Sequence, residues 1–362
     1  MQSDAELCFS VLRLSITDPF PDVQKEGAAS LITFSKRQTK AVGFMGDHAI
    51  GAIKPLLLHK HAAIRVYGIE AAKAILSVTS QGVPLLFIYD EADDRQAIVP
   101  NLVFDQSAAV RTALFQAMGD LLAEWSPRDR YAYADQLLPV LMAGTFDELS
   151  PVIETSQGKL SRVGEICTDD LVAAEILEQP AAGASTVGLQ HLVHHCYDKA
   201  LKELLQESTE FILVKQKKAL EVLRLFVEYA TVDDIVRSLK KILNRLVMVY
   251  ANGSSENILS VKIKEIAQTI AQKVPSPEIY IEVLLPRLEK LKLNSELKPE
   301  ATVSAVVAIL DFLIQDTKAD SLGDVAKQRI MSTLSKNYIQ AYLTTDAGVH
   351  DAHLESIRRL LM

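Results

Sequence analysis

Residues 87–95 read FIYDEADDR. An apolar run that ends in Asp90-Glu91-Ala92-Asp93 could hand an aspartate to Mg²⁺ and a glutamate to an attacking water, the chemistry of ATP hydrolysis. That chemistry also needs a backbone cradle for phosphates, G-x-x-x-x-G-K-[ST], and the sequence contains none. Its only Gly-Lys pair, Gly158-Lys159, is followed by Leu160 instead of a hydroxyl residue. Nor do strands and helices alternate as a parallel sheet requires. The acids are therefore expected to form a connector, with Asp93 and Asp94 at a helix start where negative charge is favoured.

HLVHHC supplies His191, His194, His195 and Cys196. His191 and His195 stand i, i+4 and would share a helix face, which suits two metal ligands. No third or fourth ligand is visible by spacing, so packing histidines are expected and no metal. His59-Lys60-His61 falls in a turn and should be solvated. The runs VKQKKALEVLR and LKKILNRL place Lys217, Lys218, Arg224, Lys240 and Lys241 on helices. Glu221, Glu228, Asp233 and Asp234 compensate them, as on solvated faces. With no Ser/His/Asp or Cys/His arrangement and no glycine-rich phosphate loop, neither catalytic residues nor cofactor-binding residues are expected, and the chain reads as no enzyme.

Composition points to the elements that must carry these residues. Of 362 residues 49% are apolar and only 6% aromatic, with 15 Gly and 13 Pro, so the core is aliphatic and the chain helical. The net charge of −8 lies in the first half, and no segment carries the positive field that nucleic-acid binding needs. Cys8, Cys167 and Cys196 are odd in number and scattered, which suits a reducing compartment. MQSDAELCFS lacks a basic n-region, and TVSAVVAILDFLI is too short to span a bilayer and is broken by Asp311. A soluble cytoplasmic protein is expected, with protein partners, no nucleic acid and no membrane insertion.

A repeat underlies the whole chain. DPFPDVQKEGAASLITF, HKHAAIRVYGIEAAKAIL, DQSAAVRTALFQAMGDLL and DELSPVIETS each join a polar turn to a β-branched anchor: Val23, Ile64, Val110 and Val152. Weaker copies follow at Val214, Val261, Val303 and Val349, making eight units. From Val110 apolar or small residues recur at Ala113, Leu114, Ala117, Met118, Leu121 and Leu122, the stripe of an amphipathic helix. Before the anchors lie apolar segments carrying Pro55, Pro100, Pro139 or Pro286, so each unit reads as a helical hairpin whose first helix bends. Acids sit five residues before four anchors, at Asp18, Asp105, Asp147 and Glu256. Bases follow at Arg65, Arg111, Lys215 and Lys262. The two sets are expected to cap the second helices and to form a structural ladder between turns; a partner-binding charge row is the alternative. The interval between Val152 and Val214 is longer. It predicts an irregular insertion over 156–187 between sub-arrays 1–155 and 188–362, bulging at PAAGAST.

The period, the acid-to-anchor spacing, the following base and the proline resemble the HEAT repeat, an all-α solenoid. The stretch from DPFPDVQKE through HKHAAIRVYGIEA to RDRYAYADQLLPV resembles the HEAT-repeat dynein axonemal assembly factors more specifically. Arg128-Asp129-Arg130-Tyr131 leading to Leu137-Leu138-Pro139 is the most specific part. That resemblance implies a non-catalytic cytoplasmic scaffold that helps preassemble axonemal dynein arms of motile cilia, holding dynein intermediate or heavy chains beside chaperones. It also implies a longer protein, of which this chain would be a fragment. A phosphatase-scaffold-like or karyopherin-like transport adaptor is the alternative. The exposed positions of second helices expected to meet a partner are Arg65, Glu70, Lys73, Arg111, Gln116 and Asp120.

Overall fold

In the computed structural model residues 2–88, 97–178, 184–253, 258–289, 299–315 and 323–344 are described, and none of these is in a strand. The helices are α1 (Gln2–Ile16), α2 (Pro21–Arg37), α3 (Thr39–Leu57), α4 (Ala62–Leu76), α5 (Pro84–Phe87), α6 (Ile98–Asn101), α7 (Ala108–Glu124), α8 (Pro127–Ala132), α9 (Ala134–Ala143) and α10 (Ser150–Ala173). They continue with α11 (Ala184–Glu207), α12 (Leu213–Tyr229), α13 (Val232–Asn252), α14 (Ile258–Lys273), α15 (Pro277–Glu289), α16 (Pro299–Gln315) and α17 (Asp324–Thr344). The chain forms two compact units, 1–196 and 197–362.

In the first unit, hairpins stack so that like helices meet: α2 packs on α4, α4 on α7, and α7 on α10, with α1 against α3 in the other layer. In the second unit α12, α14 and α16 form one such row, and α13, α15 and α17 the other. Each hairpin has an apolar stripe too narrow to bury alone, and stacking covers it. This is an α-solenoid of HEAT type. The stripes are plain in the burial pattern. On α13, Ile235, Leu239, Ile242, Leu243, Leu246 and Val247 are buried while Lys240 and Lys241 opposite them are exposed.

Small residues set how closely the helices approach. A Cβ on Gly68 would lie 3.0 Å from Leu56 Cβ, and one on Gly27, at the same place in the first hairpin, 2.8 Å from Ser15 Cβ. A side chain at either position would push the two helices of its hairpin apart. Proline marks first helices as expected, inside α3 at Pro55, α9 at Pro139 and α15 at Pro286. In the third hairpin that helix is reduced to short pieces, with Pro100 inside α6.

Three expectations need correction. The segment 156–187 is not an irregular insertion: α10 runs unbroken to Ala173, and α11 begins at Ala184. Val152, Ser156, Leu160, Val163, Gly164, Cys167, Thr168 and Leu171 form one buried stripe. Its Ser156, Gly164 and Thr168 are small groups at a helix contact, with Ser156 and Thr168 donating to the carbonyls of Val152 and Gly164. Gly164 and Gly188 lie backbone to backbone, where α10 crosses α11. The longer interval therefore comes from two 24-residue helices.

The second correction concerns register. Val261 is 57% exposed, whereas Leu259 is 4% exposed and leads the buried series Ile263, Ile266, Ala267 and Ile270. Val214 is likewise exposed. Val214 and Val261 are β-branched residues on solvent faces, and at Val261 the buried series begins two residues earlier. Third, Asp18, Asp105 and Asp147 do not cap the first turn inside the helix. Each accepts the backbone N–H two residues on, from Phe20 (2.8 Å), Ser107 (2.8 Å) and Leu149 (3.1 Å), and so closes the turn before it. Glu256, Val349, Asp93, Asp94 and most of FIYDEADDR lie outside the described residues, as do residues 180–183 of PAAGAST.

Candidate partner-binding surface

Two rungs of charge cross the second helices of the first unit. At the upper rung, Arg65 forks onto Asp105 with bonds of 2.6 and 2.7 Å, while its remaining amino group binds the carbonyl of His59, in its own turn, at 2.7 Å. Arg111 repeats the arrangement, meeting Asp147 at 2.7 and 2.9 Å and the carbonyl of Asp105 at 2.7 Å. Each arginine thus ties its own turn to the next. The Asp147 hydrogen bonds raise the Arg111 pKa above its ordinary value despite burial.

The ladder is matched to sequence at its start. In the first hairpin the arginine position holds Gln24, whose side-chain amide donates to the carbonyl of Asp18. The residue that would face it, at the aspartate position of the second hairpin, is His59. His59 Nδ1 accepts the N–H of His61 at 3.1 Å, closing the turn as the aspartates do. Partial burial and the neighbouring His61 and Lys60 lower its pKa, so it is a neutral acceptor. A neutral glutamine is followed by a neutral histidine, and arginines are followed by aspartates.

At the lower rung Lys73 and Lys159 converge on the two oxygens of Asp120, each at 2.5 Å, and Lys73 also lies 3.5 Å from Glu124. Burial alone would raise the Asp120 pKa. The hydrogen bonds from Lys159 and Lys73 outweigh it, and the carboxylate sits below its usual range. Four of the six positions expected to face a partner are therefore engaged. Arg65, Lys73, Arg111 and Asp120 hold neighbouring helices together, and Arg111 is buried. Glu70 and Gln116 are exposed. Lys159 was missed because nothing local marks a lysine on a third helix as the partner of Asp120.

The RDRY stretch acts inside the fold. Arg130 is buried and spreads its guanidinium over the carbonyl end of α7, binding Leu122 at 2.5 Å and Trp125 at 2.7 Å, and pairs with Asp170 on α10. It therefore satisfies orphan carbonyls at a helix C-terminus, where positive charge is favoured. Asp129 accepts the hydroxyls of Ser126 and Ser80, both at 2.9 Å, and Trp125 donates its indole N–H to Leu76 at 3.0 Å. Tyr131 packs edge-on against His191, with centroids 5.5 Å apart, and tilted against His195 at 5.0 Å. The histidine pair seats on an aromatic ring. Burial pushes the nearby Cys167 thiol up to about 11, which keeps it protonated and unreactive. Among the described residues no group of three or more His, Cys, Asp or Glu could hold a metal.

In the second unit the basic run is also compensated. Glu221, itself buried, lies 3.4 Å from Lys218 and 3.7 Å from Lys262, and Glu265 joins Lys262 (3.1 Å) to Arg224 (3.8 Å), bridging α12 and α14. Lys273 closes the end of α12 by donating to the carbonyl of Ala230 at 2.7 Å. Lys240 and Lys241 stay exposed. No described helix is long and apolar enough to cross a membrane.

Residues 5–169, the part of the chain with the ladder and the RDRY stretch, match the family model described as Dynein axonemal assembly factor 5-like, TPR repeats. The chain is 24% identical over 302 residues to dynein axonemal assembly factor 5 of Xenopus laevis, covering 79% of this chain and 34% of that protein. Against the Homo sapiens protein of the same name identity is 23% over 291 residues, covering 77% and 32%. The chain resembles dynein axonemal assembly factor 5 over most of its length. It spans about a third of the length of these curated relatives. The anchor spacing of Val23, Ile64, Val110 and Val152, roughly 40–47 residues, is that of HEAT hairpins and not the shorter TPR period. Two solved structures are also similar in part: Kap121p bound to Nup53p, at 12% identity and TM-score 0.36 over 98% of this chain and 41% of that one, and a designed armadillo repeat protein, at 12% and 0.29 over 73% and 97%.

Proposed function

We propose that the chain is a non-catalytic, cytoplasmic holding scaffold in the preassembly of axonemal dynein arms. Its similarity to proteins named dynein axonemal assembly factor 5 carries this reading. The geometry supports it. Charged groups that could have formed an active site are consumed in rungs between helices, which stiffen a surface without creating chemistry. Dynein intermediate or heavy chains, held beside chaperones, are the proposed cargo. Contacts are proposed at Glu70 on α4 and Gln116 on α7, the two nominated positions that the rungs leave exposed.

Affinity capture from ciliated cells with the tagged chain tests the reading. Axonemal dynein chains should be recovered, and Glu70→Lys with Gln116→Lys should reduce that recovery while leaving the melting temperature unchanged. Recovery of a small transport GTPase or a phosphatase catalytic subunit, without dynein chains, would overturn it in favour of a general repeat adaptor.

A further inference from the structure

The second unit handles its cations in two ways. On α12 and α14 they are answered: Lys218 and Lys262 by Glu221, and Arg224 by Glu228 and Glu265. On α11 and α13 they are not. Beyond Asp234, α13 carries Arg237, Lys240, Lys241 and Arg245 and no acid.

Polar contacts fix the seam between these two helices. Tyr197 Oη lies 2.8 Å from Ser238 Oγ, Arg237 lies 3.4 Å from Asp198, and Arg245 donates to Thr209 Oγ1 at 3.2 Å. The helices therefore run parallel, and the helical period carries their register onward. Lys202 stands i+4 from Asp198 and Lys241 i+4 from Arg237. One turn beyond an ion pair, the seam thus sets lysine against lysine, where like charges repel. Lys199 and Lys240 flank them. All four lysines are exposed, and among the described residues none has an ion-pair partner. Asp198 is taken by Arg237, and Glu203 pairs with neither lysine of its own helix. Because α15 also packs on α13, the seam lies within the row and is not a face left open at an end of the stack.

The first unit shows what satisfies such a pair. There Lys73 and Lys159, from the helices on either side, converge on the single carboxylate of Asp120. We propose that the α11–α13 seam binds an acidic segment of a partner protein, with one carboxylate seated between Lys202 and Lys241 and neighbouring acids reaching Lys199 and Lys240. A short segment suits the seam better than a membrane or a nucleic acid. The whole chain carries −8, which repels an extended polyanion, while the unpaired lysines span only about one turn of each helix. The surface is separate from Glu70 and Gln116, and the inference does not depend on the dynein-assembly reading.

The probe is a fluorescein-labelled peptide repeating the block Glu-Glu-Leu-Glu, titrated by anisotropy into the chain. Binding is expected, weakening as salt is raised. Lys202→Glu supplies the missing acid from within the seam, so binding should fall about tenfold while the melting temperature does not fall. The double variant Lys202→Glu with Lys241→Glu should instead bind a Lys-Lys-Leu-Lys peptide, a gain that a misfolded chain would not show. Lys36→Glu with Lys40→Glu, an equal charge change on exposed positions of the first unit, should cost the acidic peptide less than about twofold. No binding by the unmodified chain, indifference to Lys202→Glu, or an equal loss in the Lys36 and Lys40 variant overturns the proposal. So does capture by phosphatidylserine vesicles that Lys202→Glu abolishes and the acidic peptide does not displace, which would assign the seam to membrane lipid.

Discussion

Removing the Arg111 side-chain charge should destabilise the first unit by about 3–5 kcal/mol, the cost of stranding one partner of a buried ion pair. The two side chains are only 7% and 6% exposed, and the fork has bonds of 2.7 and 2.9 Å. Arg111→Met keeps the apolar stem and deletes the guanidinium, leaving Asp147 desolvated and the carbonyl of Asp105 unbound. Asp147→Leu alone should cost a similar amount. It also loses the turn bond from Leu149, so the double variant should still fall short of wild type by about 1 kcal/mol. The coupling in the double-mutant cycle should then exceed about 2 kcal/mol. Because the chain has two compact units, urea denaturation should be read together with hydrogen exchange in peptides from α7 and α10, which report on this unit. A loss below about 1 kcal/mol for Arg111→Met, or singles that simply add, would refute the view that this pair is a desolvated inter-repeat staple.

Three further outcomes are expected. Gly188→Ala should lower stability by about 1–3 kcal/mol, since a Cβ there meets the Gly164 carbonyl; an unchanged melting temperature would contradict the close α10–α11 contact. Glu175 ends α10 at φ 57°, with the N–H of Ile176 returning to Leu171 at 2.9 Å, so Glu175→Gly should stabilise by about 0.5–1 kcal/mol in thermal denaturation. Asp120 titrates below its usual value when folded, so its contribution is complete above the unfolded pKa and is lost as pH falls through the lower folded one. Wild type should therefore lose more stability than Asp120→Asn in urea melts taken below about pH 4.

The helical hairpins were readable because periodicity is local. A stripe at i, i+3, i+4, i+7 such as that of α7 can be buried only as a helix, and acid, anchor and base recur at fixed offsets within one turn. Arg65 and Arg111 could be named from those offsets, and so could Asp105 and Asp147. Reading failed where residue type is ambiguous between contexts. The long interval after Val152 looks like an insertion until α10 and α11 prove to be long helices, and Val261 looks like an anchor until its side proves to be solvent. The partner of a charge lies about a repeat away along the chain, so Asp120 with Lys73 and Lys159, and Arg130 with Asp170, became visible only once helices were stacked.

Composition and period are properties of single segments, so a row of aliphatic helical hairpins could be read from the chain before any neighbour was known. Tertiary structure alone decided which charges are staples and which face solvent. Arg111 and Glu70 are equally polar on paper, but one is closed over by the next repeat and the other is not. Burial is a property of neighbours, and neighbours are chosen by the stack.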